Sequence, residues 1–531
     1  MREGPRTTNT FAKKRYMILY LIIITISAQP TIIWLWYFWQ LFPVENMVFF
    51  LVFPLFFFIG IIILIFSAIL VSKFFLVVVN IIHKPREGVF NRDKKDKDFC
   101  YWSLRAIIKK WPTWLTRQLN LPILEIIVFK ILGVKTSFSN SLNEGWVDCE
   151  FIEFGKNVKI GQGSIIMSNI IIKDKLIIKK VVLHDNIIIG AHTVISPGTT
   201  IESNSIIDST SMTTINQHIE GNGTYSGTPV KQIYMNSEVK NKDDLEKQIF
   251  EEDIKDKYDE EILKTYEKEL GLPFHLYIAS GWLIVGGSFM IPGLLFILFV
   301  YEFLLPNLLF LPLSFDLLLD FWILVRMLIT PLIFIGLYIL HLFFVVLFTR
   351  WFYRFADKRG PTQGVFDRNL DATSTALDYY HFRSFLFKYP IFAVIRSPFP
   401  WLINWELRFI GSNKIGKGTV FEECYIHSHI NYGKNCYLGT FSHITNHLVD
   451  GVYGSENLTF FGAENGDNCI FSALIGGLPG LEVGDNSTLL PMCSTIKFDK
   501  LGENGIYAGF PAKKLEKKEI DHILGGEYNE E

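Results

Sequence analysis

Ile189-Gly190-Ala191-His192-Thr193-Val194-Ile195-Ser196-Pro197-Gly198-Thr199-Thr200-Ile201 carries an aliphatic residue at every sixth position. The register continues through Ile165, Ile171, Ile177, Leu183 and Ile207. A period of six fits neither the 3.6 of a helix nor the alternation of a hairpin strand, and a short fixed repeat marks a solenoid. Each hexad, such as Ile160-Gly161-Gln162-Gly163-Ser164-Ile165, reads as one short strand and a corner. Three hexads complete about one triangular turn, and turns stack at roughly the 4.8 Å spacing of paired strands. The reading is a parallel β-helix, with Gly155 and Asn157 at corners that need positive φ.

The setting of this coil is unusual. The chain has 531 residues, 49% of them hydrophobic and 47 of them Phe, with a net charge of −2. The apolar excess is segregated into four blocks, Tyr16 to Phe42, Met47 to about Asn80, Leu276 to Leu305 and Phe321 to Phe348. Each exceeds the roughly 20 residues needed to cross hydrocarbon and has no polar face, so the expectation is four membrane helices. The first block lacks a small-residue cleavage site and is followed at once by the second, so it stays in the mature protein.

Basic residues flank one side of these blocks. Arg2, Arg6, Lys13, Lys14 and Arg15 precede the first, Lys84, Arg86 and Arg92 follow the second, and Arg350, Arg354, Lys358 and Arg359 follow the fourth. The turn 43–46 and the loop Leu305 to Asp320 hold no Lys or Arg. The positive-inside rule then predicts a multi-pass membrane protein with both soluble regions on the cytoplasmic side. Six cysteines without C-x-x-C spacing suit free thiols in a reducing compartment.

Longer stretches also recur. Gly88-Val89-Phe90-Asn91-Arg92 returns as Gly364-Val365-Phe366-Asp367-Arg368, and Tyr101-Trp102-Ser103-Leu104-Arg105 as Tyr379-Tyr380-His381-Phe382-Arg383. Phe129-Lys130-Ile131-Leu132-Gly133 returns as Leu407-Arg408-Phe409-Ile410-Gly411, and Phe154-Gly155-Lys156-Asn157 as Tyr432-Gly433-Lys434-Asn435. The chain reads as a tandem duplication of a transmembrane hairpin, a connector and a coil. The expected organisation is a tail and first transmembrane hairpin at 1–83, interfacial connector helices at 84–147 and a first β-helix at 148–236. A charged linker helix follows at 237–271, then a second transmembrane hairpin at 272–349, a second connector at 350–411, a second β-helix at 412–516 and a tail at 517–531. Trp102, Trp111 and Trp114 in the first connector are expected at headgroup depth, with capping of the coil as the alternative. The linker mixes both charge signs and reads as a solvated helix.

The coils close with Tyr225-Ser226-Gly227-Thr228-Pro229-Val230-Lys231 and with Ile506-Tyr507-Ala508-Gly509-Phe510-Pro511-Ala512-Lys513-Lys514. These hexads and endings resemble the left-handed β-helix (hexapeptide-repeat) acyltransferases. The full arrangement is similar to the C-terminal membrane region of poly-lysine synthetase-type nonribosomal peptide synthetases. The resemblance implies left-handed coils and transfer of an acyl or aminoacyl group to an amine or hydroxyl acceptor, with nonribosomal peptide or amide formation as one setting. The donor it implies is a thioester of coenzyme A or of a phosphopantetheine carrier protein, and no metal is expected. In that family trimers place the donor between neighbouring coils. Two fused coils supply one such seam, where Gly439, Gly462, Gly476, Gly484, Lys513 and Lys514 are the expected donor contacts. Expected partners are membrane lipid, a carrier protein and further copies of this chain, with no nucleic acid.

Acyl transfer needs a base for the acceptor's proton, a task suited to histidine near neutral pH. The second coil gathers His427, His429, His443 and His447 within about twenty residues. His447 is the expected base, with Asp450 or His429 orienting it and His443 nearby; corner histidines facing water are the alternative. Asn169 occupies the matching place in the first coil, which suggests one working and one degenerate coil. A γ-carbonic-anhydrase-like zinc site using His443 and His447 is a second reading, and a non-catalytic membrane scaffold a third. Phosphate-loop, zincin and α/β-hydrolase motifs are absent from the sequence.

Overall fold

Two-residue and three-residue strands are too short to stand alone, and the chain stacks them into ladders. The computed structural model describes residues 6–42, 47–119, 121–142, 144–235, 274–367, 375–450 and 457–524. In the first half, Trp146–Val147, Ile165–Ile166 and Val194–Ile195 form one parallel ladder. Ile152–Phe154, Val181–Leu183, Thr200–Ile201 and His218–Ile219 form a second. Lys159–Ile160, Ile188–Ile189, Ile206–Ile207 and Gly223–Gly227 form a third. The chain visits the three ladders in rotation, which is the wiring of a three-faced β-helix region. The second half repeats that rotation from Val420 to Ala508.

Corner chemistry explains the sequence of each coil. Asn157, Asn186, Asn204 and Asn222 all take positive φ, and their amides donate one to the next at 3.0–3.1 Å. Asn435, Asn468 and Asn486 form the same kind of ladder in the second half. Asparagine tolerates the left-handed region, and a stacked row of its amides satisfies itself. Gly155 is required for another reason than the expected positive φ. A Cβ there would lie 2.3 Å from Asp185 Oδ1.

The hexad register passes through a segment that is not coil. Asn169–Ile172 and Lys175–Ile178 form an antiparallel hairpin, and Gly88–Asn91 adds to its free edge. Leu183 therefore falls on the second ladder, where an unbroken count from Ile165 would put it on the first. All eight six-spaced residues are buried, yet Ile165, Ile171 and Ile177 pack outside the prism, and Ile166 rather than Ile165 joins Leu183, Ile189 and Ile195 inside it. The second half does the same with His447–Asp450, Asn457–Phe460 and Gly364–Asp367. The recurring Gly-Val-Phe segments are thus edge strands of these two projecting sheets. Gly88 and Gly364 sit at φ 154° and 150° with the ring of Phe90 or Phe366 folded over them, which a side chain would obstruct.

Among the described residues four helices are long and apolar enough to cross a membrane. They are α1 (Tyr16–Leu41), α2 (Met47–Ile82), the segment His275–Leu309 that begins with α5 (Phe274–Leu298), and α6 (Phe321–Asp357). Prolines inside these helices free carbonyls, and polar side chains collect them. Pro331 cannot donate to the Met327 carbonyl, and Gln29 Nε2 of α1 does so instead at 3.2 Å. Trp36 and Gln40 donate to the Leu311 and Leu309 carbonyls where the helix ends and leaves them unpaired, which fastens the two hairpins together.

The connectors lie between hairpin and coil. In the first half these are α3 (Lys97–Gln118) and α4 (Pro122–Leu132), and α3 is buried along nearly its whole length. Trp102 and Trp111 are buried and Trp114 is half-buried. Trp111 Nε1 donates to Ser27 Oγ and Trp114 Nε1 to the Arg396 carbonyl. Phe129 of α4, rather than an indole, joins the apolar cluster of the first coil. The second connector has α7 (Thr375–Ile395) and α8 (Ile403–Ile410).

Two further expectations change. Residues 517–524 of the expected tail are ordered into structure, because α9 (Lys517–Ile523) carries a reciprocal capping box at Glu516 and Glu519. Its Ile520 and the following Leu524 join Ile165, Met167, Val194 and Met212 of the first coil and Ala473, Leu490 and Ile506 of the second in one apolar cluster. The seam between the coils is thus packed with side chains. The charged linker at 237–271 lies outside the described residues.

Candidate active site

A cleft of about 600 Å³ opens between α7, the first turn of α5 and the second coil. One face of α7 forms its wall, with His381, Ser384, Phe385, Lys388, Ile391 and Phe392 at helical spacing. The opposite wall comes from Tyr425, His427, Ser428, Asn446 and His447. The hairpin places His447 there, because it is the first residue to leave the coil.

His427 and His447 meet edge to face at 5.2 Å between ring centroids, and Tyr380 also packs edge to face on His447 at 5.7 Å. Burial pushes His427 down to about 3, aided by the adjacent His447, and pushes His447 down to about 4. Both imidazoles are therefore neutral at pH 7. Asn446 Nδ2 donates to the Ser428 carbonyl at 2.7 Å and to Ser428 Oγ, which turns its Oδ1 toward His447 Nδ1 at 2.9 Å. The network assigns the proton to Nδ1 and leaves Nε2 as the basic nitrogen.

The other expected residues stand apart. His429 takes positive φ at a corner, and its Nε2 lies 3.3 Å from Asp357 Oδ1. Asp357 also accepts from the buried Arg383 at 2.7 Å, so His429 helps tie α6 and α7 to the coil. Its partner across the turn is thus a carboxylate of α6, and the imidazole beside His447 is His427. Asp450 ends the strand that begins at His447, and its side chain lies outside the described residues. His443 is exposed on its ladder between Tyr425 and Gly476.

The four glycines expected at the donor site serve the stacking of coil turns. A Cβ on Gly439, Gly462, Gly476 or Gly484 would come within 2.3–2.7 Å of Ser472, the His429 carbonyl, Ser494 or Glu503. Lys513 and Lys514 are exposed on a short strand paired with Tyr507 and Ala508. None of the six lines the cleft. Among the described residues no group of three or more His, Cys, Asp or Glu is placed to hold a metal ion.

His381, Tyr380 and Lys388 were not singled out by spacing. The signal for them is the difference between aligned halves, where Ser103 stands for His381, Trp102 for Tyr380 and the buried Lys110 for the exposed Lys388.

No family model matches the chain, and no curated protein matches it. Among solved structures, a maltose O-acetyltransferase from Clostridium difficile 630 is similar at a TM-score of 0.19 and 19% identity, over 21% of this chain and 74% of that one. A galactoside acetyltransferase in complex with coenzyme A is similar at 0.18 and 20%, over 21% of this chain and 70% of that one. AntD, an N-acyltransferase from Bacillus cereus in complex with dTDP and 3-hydroxybutyryl-CoA, is similar at 0.14 and 20%, over 22% and 87%.

Proposed function

We propose that this chain is a membrane-anchored acyltransferase that moves an acyl or aminoacyl group from a thioester to an amine or hydroxyl. The observation that carries the reading is the neutral, oriented imidazole of His447 at the wall of a roomy cleft. As the acceptor attacks the thioester carbonyl, His447 Nε2 takes its proton. The tetrahedral intermediate then collapses, the carbon–sulfur bond breaks and the imidazolium returns the proton to the leaving thiolate, releasing a free thiol. His427 and Tyr380 pack on the ring and fix it, and the low local polarity keeps it unprotonated until the acceptor arrives.

The donor is read as coenzyme A or a carrier-borne phosphopantetheine. The packed seam argues for its entry along the cleft rather than between the coils. The matching order of hairpin, edge strand, connector and coil supports a tandem duplication, with left-handed coils as in the hexapeptide-repeat enzymes. The basic flanks of the spans support a cytoplasmic position for both coils, and association with further copies is part of the reading.

The test is thiol release. The full chain, purified in nanodiscs, is expected to free thiol from acyl-coenzyme A or acyl-carrier thioesters only when an amine or hydroxyl acceptor is added. A panel of both donor types that gives no acceptor-dependent thiol overturns the reading.

A further inference from the structure

The wall that α7 presents to the cleft changes character along its length. His381 and Ser384 stand at one end, Lys388 in the middle, and Ile391 and Phe392 at the other. The apolar end is the end nearest the membrane helices, since Ile391, Val394 and Ile395 pack in one cluster with Leu342 and Val346 of α6. On the facing side the cleft is lined by Tyr277 and Ile278 from the first turn of α5, and Ile278 is 70% exposed. Tyr277 packs against Phe382 and Phe385 at 5.5 and 5.1 Å, which sets α5 beside α7 where the cleft opens.

Charge follows the same gradient. The described lining residues include no carboxylate, His427 and His447 are neutral, and Lys388 is exposed and makes no ion pair among the described residues. A cation left alone between neutral bases and an apolar mouth selects a ligand with an anion in the middle and a hydrocarbon chain at one end. An ordinary soluble acceptor would leave Ile278, Phe385 and Phe392 in contact with water.

We infer that the cleft takes a single-chain lipid with an anionic head, its charge on Lys388 and its chain running between α5 and α7 toward the bilayer. The reacting hydroxyl or amine then lies on the head beside His447. That the lipid is the acceptor rests on the acyl-transfer reading. That it binds does not.

The experiment separates the two. The full chain in nanodiscs is irradiated with diazirine-bearing dodecyl phosphate, diazirine-bearing laurate or diazirine-bearing dodecylphosphocholine, and labelled residues are mapped by mass spectrometry. Either anionic probe is expected to label Ile278, Phe385 or Phe392, and the better of the two identifies the head. Lys388→Glu is expected to reduce that labelling about tenfold, the loss of one charge-assisted contact. Lys388 is exposed, so the variant folds, and His447→Gln is expected to keep the labelling because it removes only the base. Equal labelling by the phosphocholine probe, or labelling confined to residues outside the cleft, overturns the inference. Labelled clefts in a protein that releases no thiol would overturn acyl transfer and leave the lipid site standing, whereas thiol release with unlabelled clefts does the reverse.

Discussion

The two coils meet their connectors in corresponding ways and end with very different cavities. In the second half, Tyr380, His427 and His447 line about 600 Å³. In the first half, Trp102, Asp148 and Asn169 line about 30 Å³, room for about one water. Asn169 donates to Asp148, Ser168 Oγ does so at 2.8 Å, and burial raises Asp148 to about 6. The larger difference is what fills the space. Lys110 is buried and donates to the Thr7 carbonyl and to Asn9 Oδ1, so the chain's own early residues occupy the room that Lys388 leaves open. One backbone plan therefore gives a filled chamber or a vacant cleft according to a handful of side chains.

The sharpest way to break this contrast is to make the second cleft resemble the first. His447→Asn, which copies Asn169, is expected to lower acceptor-dependent thiol release by about 10²–10⁴-fold, the usual worth of a general base. Circular dichroism and elution volume should not move.

A second test uses pH. The desolvated histidines must be neutral to act, so kcat is expected to stay flat from pH 8 downward and fall only near the value of about 4 given for His447. An acid limb near 6.5 would place the base elsewhere. The same depression means that the folded state binds fewer protons than the unfolded chain between those values. Stability contributed here is full above the unfolded value and is lost as pH falls through the folded one.

A smaller effect separates the connectors. Glu406 of α8 is wholly buried, neither of its oxygens has a hydrogen-bond partner among the described residues, and burial holds its carboxyl well above the usual range. The aligned position in α4 is Val128. Glu406→Val is expected to stabilise the protein by about 1–3 kcal/mol, the cost of burying an unmatched polar group. It should also flatten the loss of stability on raising pH above the ordinary carboxyl range, because the folded chain there keeps a proton that the unfolded chain releases. Melting curves across pH read both.

The least change is expected in the first chamber. Asp148→Asn should alter thiol release less than about twofold, since a chamber of this size admits no substrate. A large loss would make the first coil a working one.

Much of this arrangement was legible in the chain, for identifiable reasons. Four blocks without a polar face announce helices long and apolar enough to cross a membrane, and isoleucines six apart with asparagine at corners specify rungs. The hairpins were hidden because Ile171 and Ile177 keep the six-residue register while leaving the prism; backbone pairing, not side-chain type, distinguishes them. Three hexads are eighteen residues, which in an uninterrupted coil would stack His447 on His429. The hairpin that begins at His447 invalidates that count and brings His427 alongside. The tryptophans of α3 have the composition of an interfacial belt, and only tertiary packing reveals that Ser27 and the Arg396 carbonyl receive their N–H groups. The filled seam could not be read either, since it depends on α9 returning to cover it.

The strap formed by residues 6–9 bears on biogenesis. Arg6 pairs with Glu125 at 3.2 Å, while Thr8 and the Asn9 backbone N–H donate to Glu422, 413 positions beyond Asn9. At about 5–20 residues per second, a ribosome delivers that carboxylate roughly 20–80 s after the strap itself. Throughout the interval Lys110 lacks Glu422 as its counter-ion, and the earlier hairpin awaits its final clasp. Nascent molecules arrested before residue 422 should accordingly expose their leading segment to protease, and completed ones should shield it.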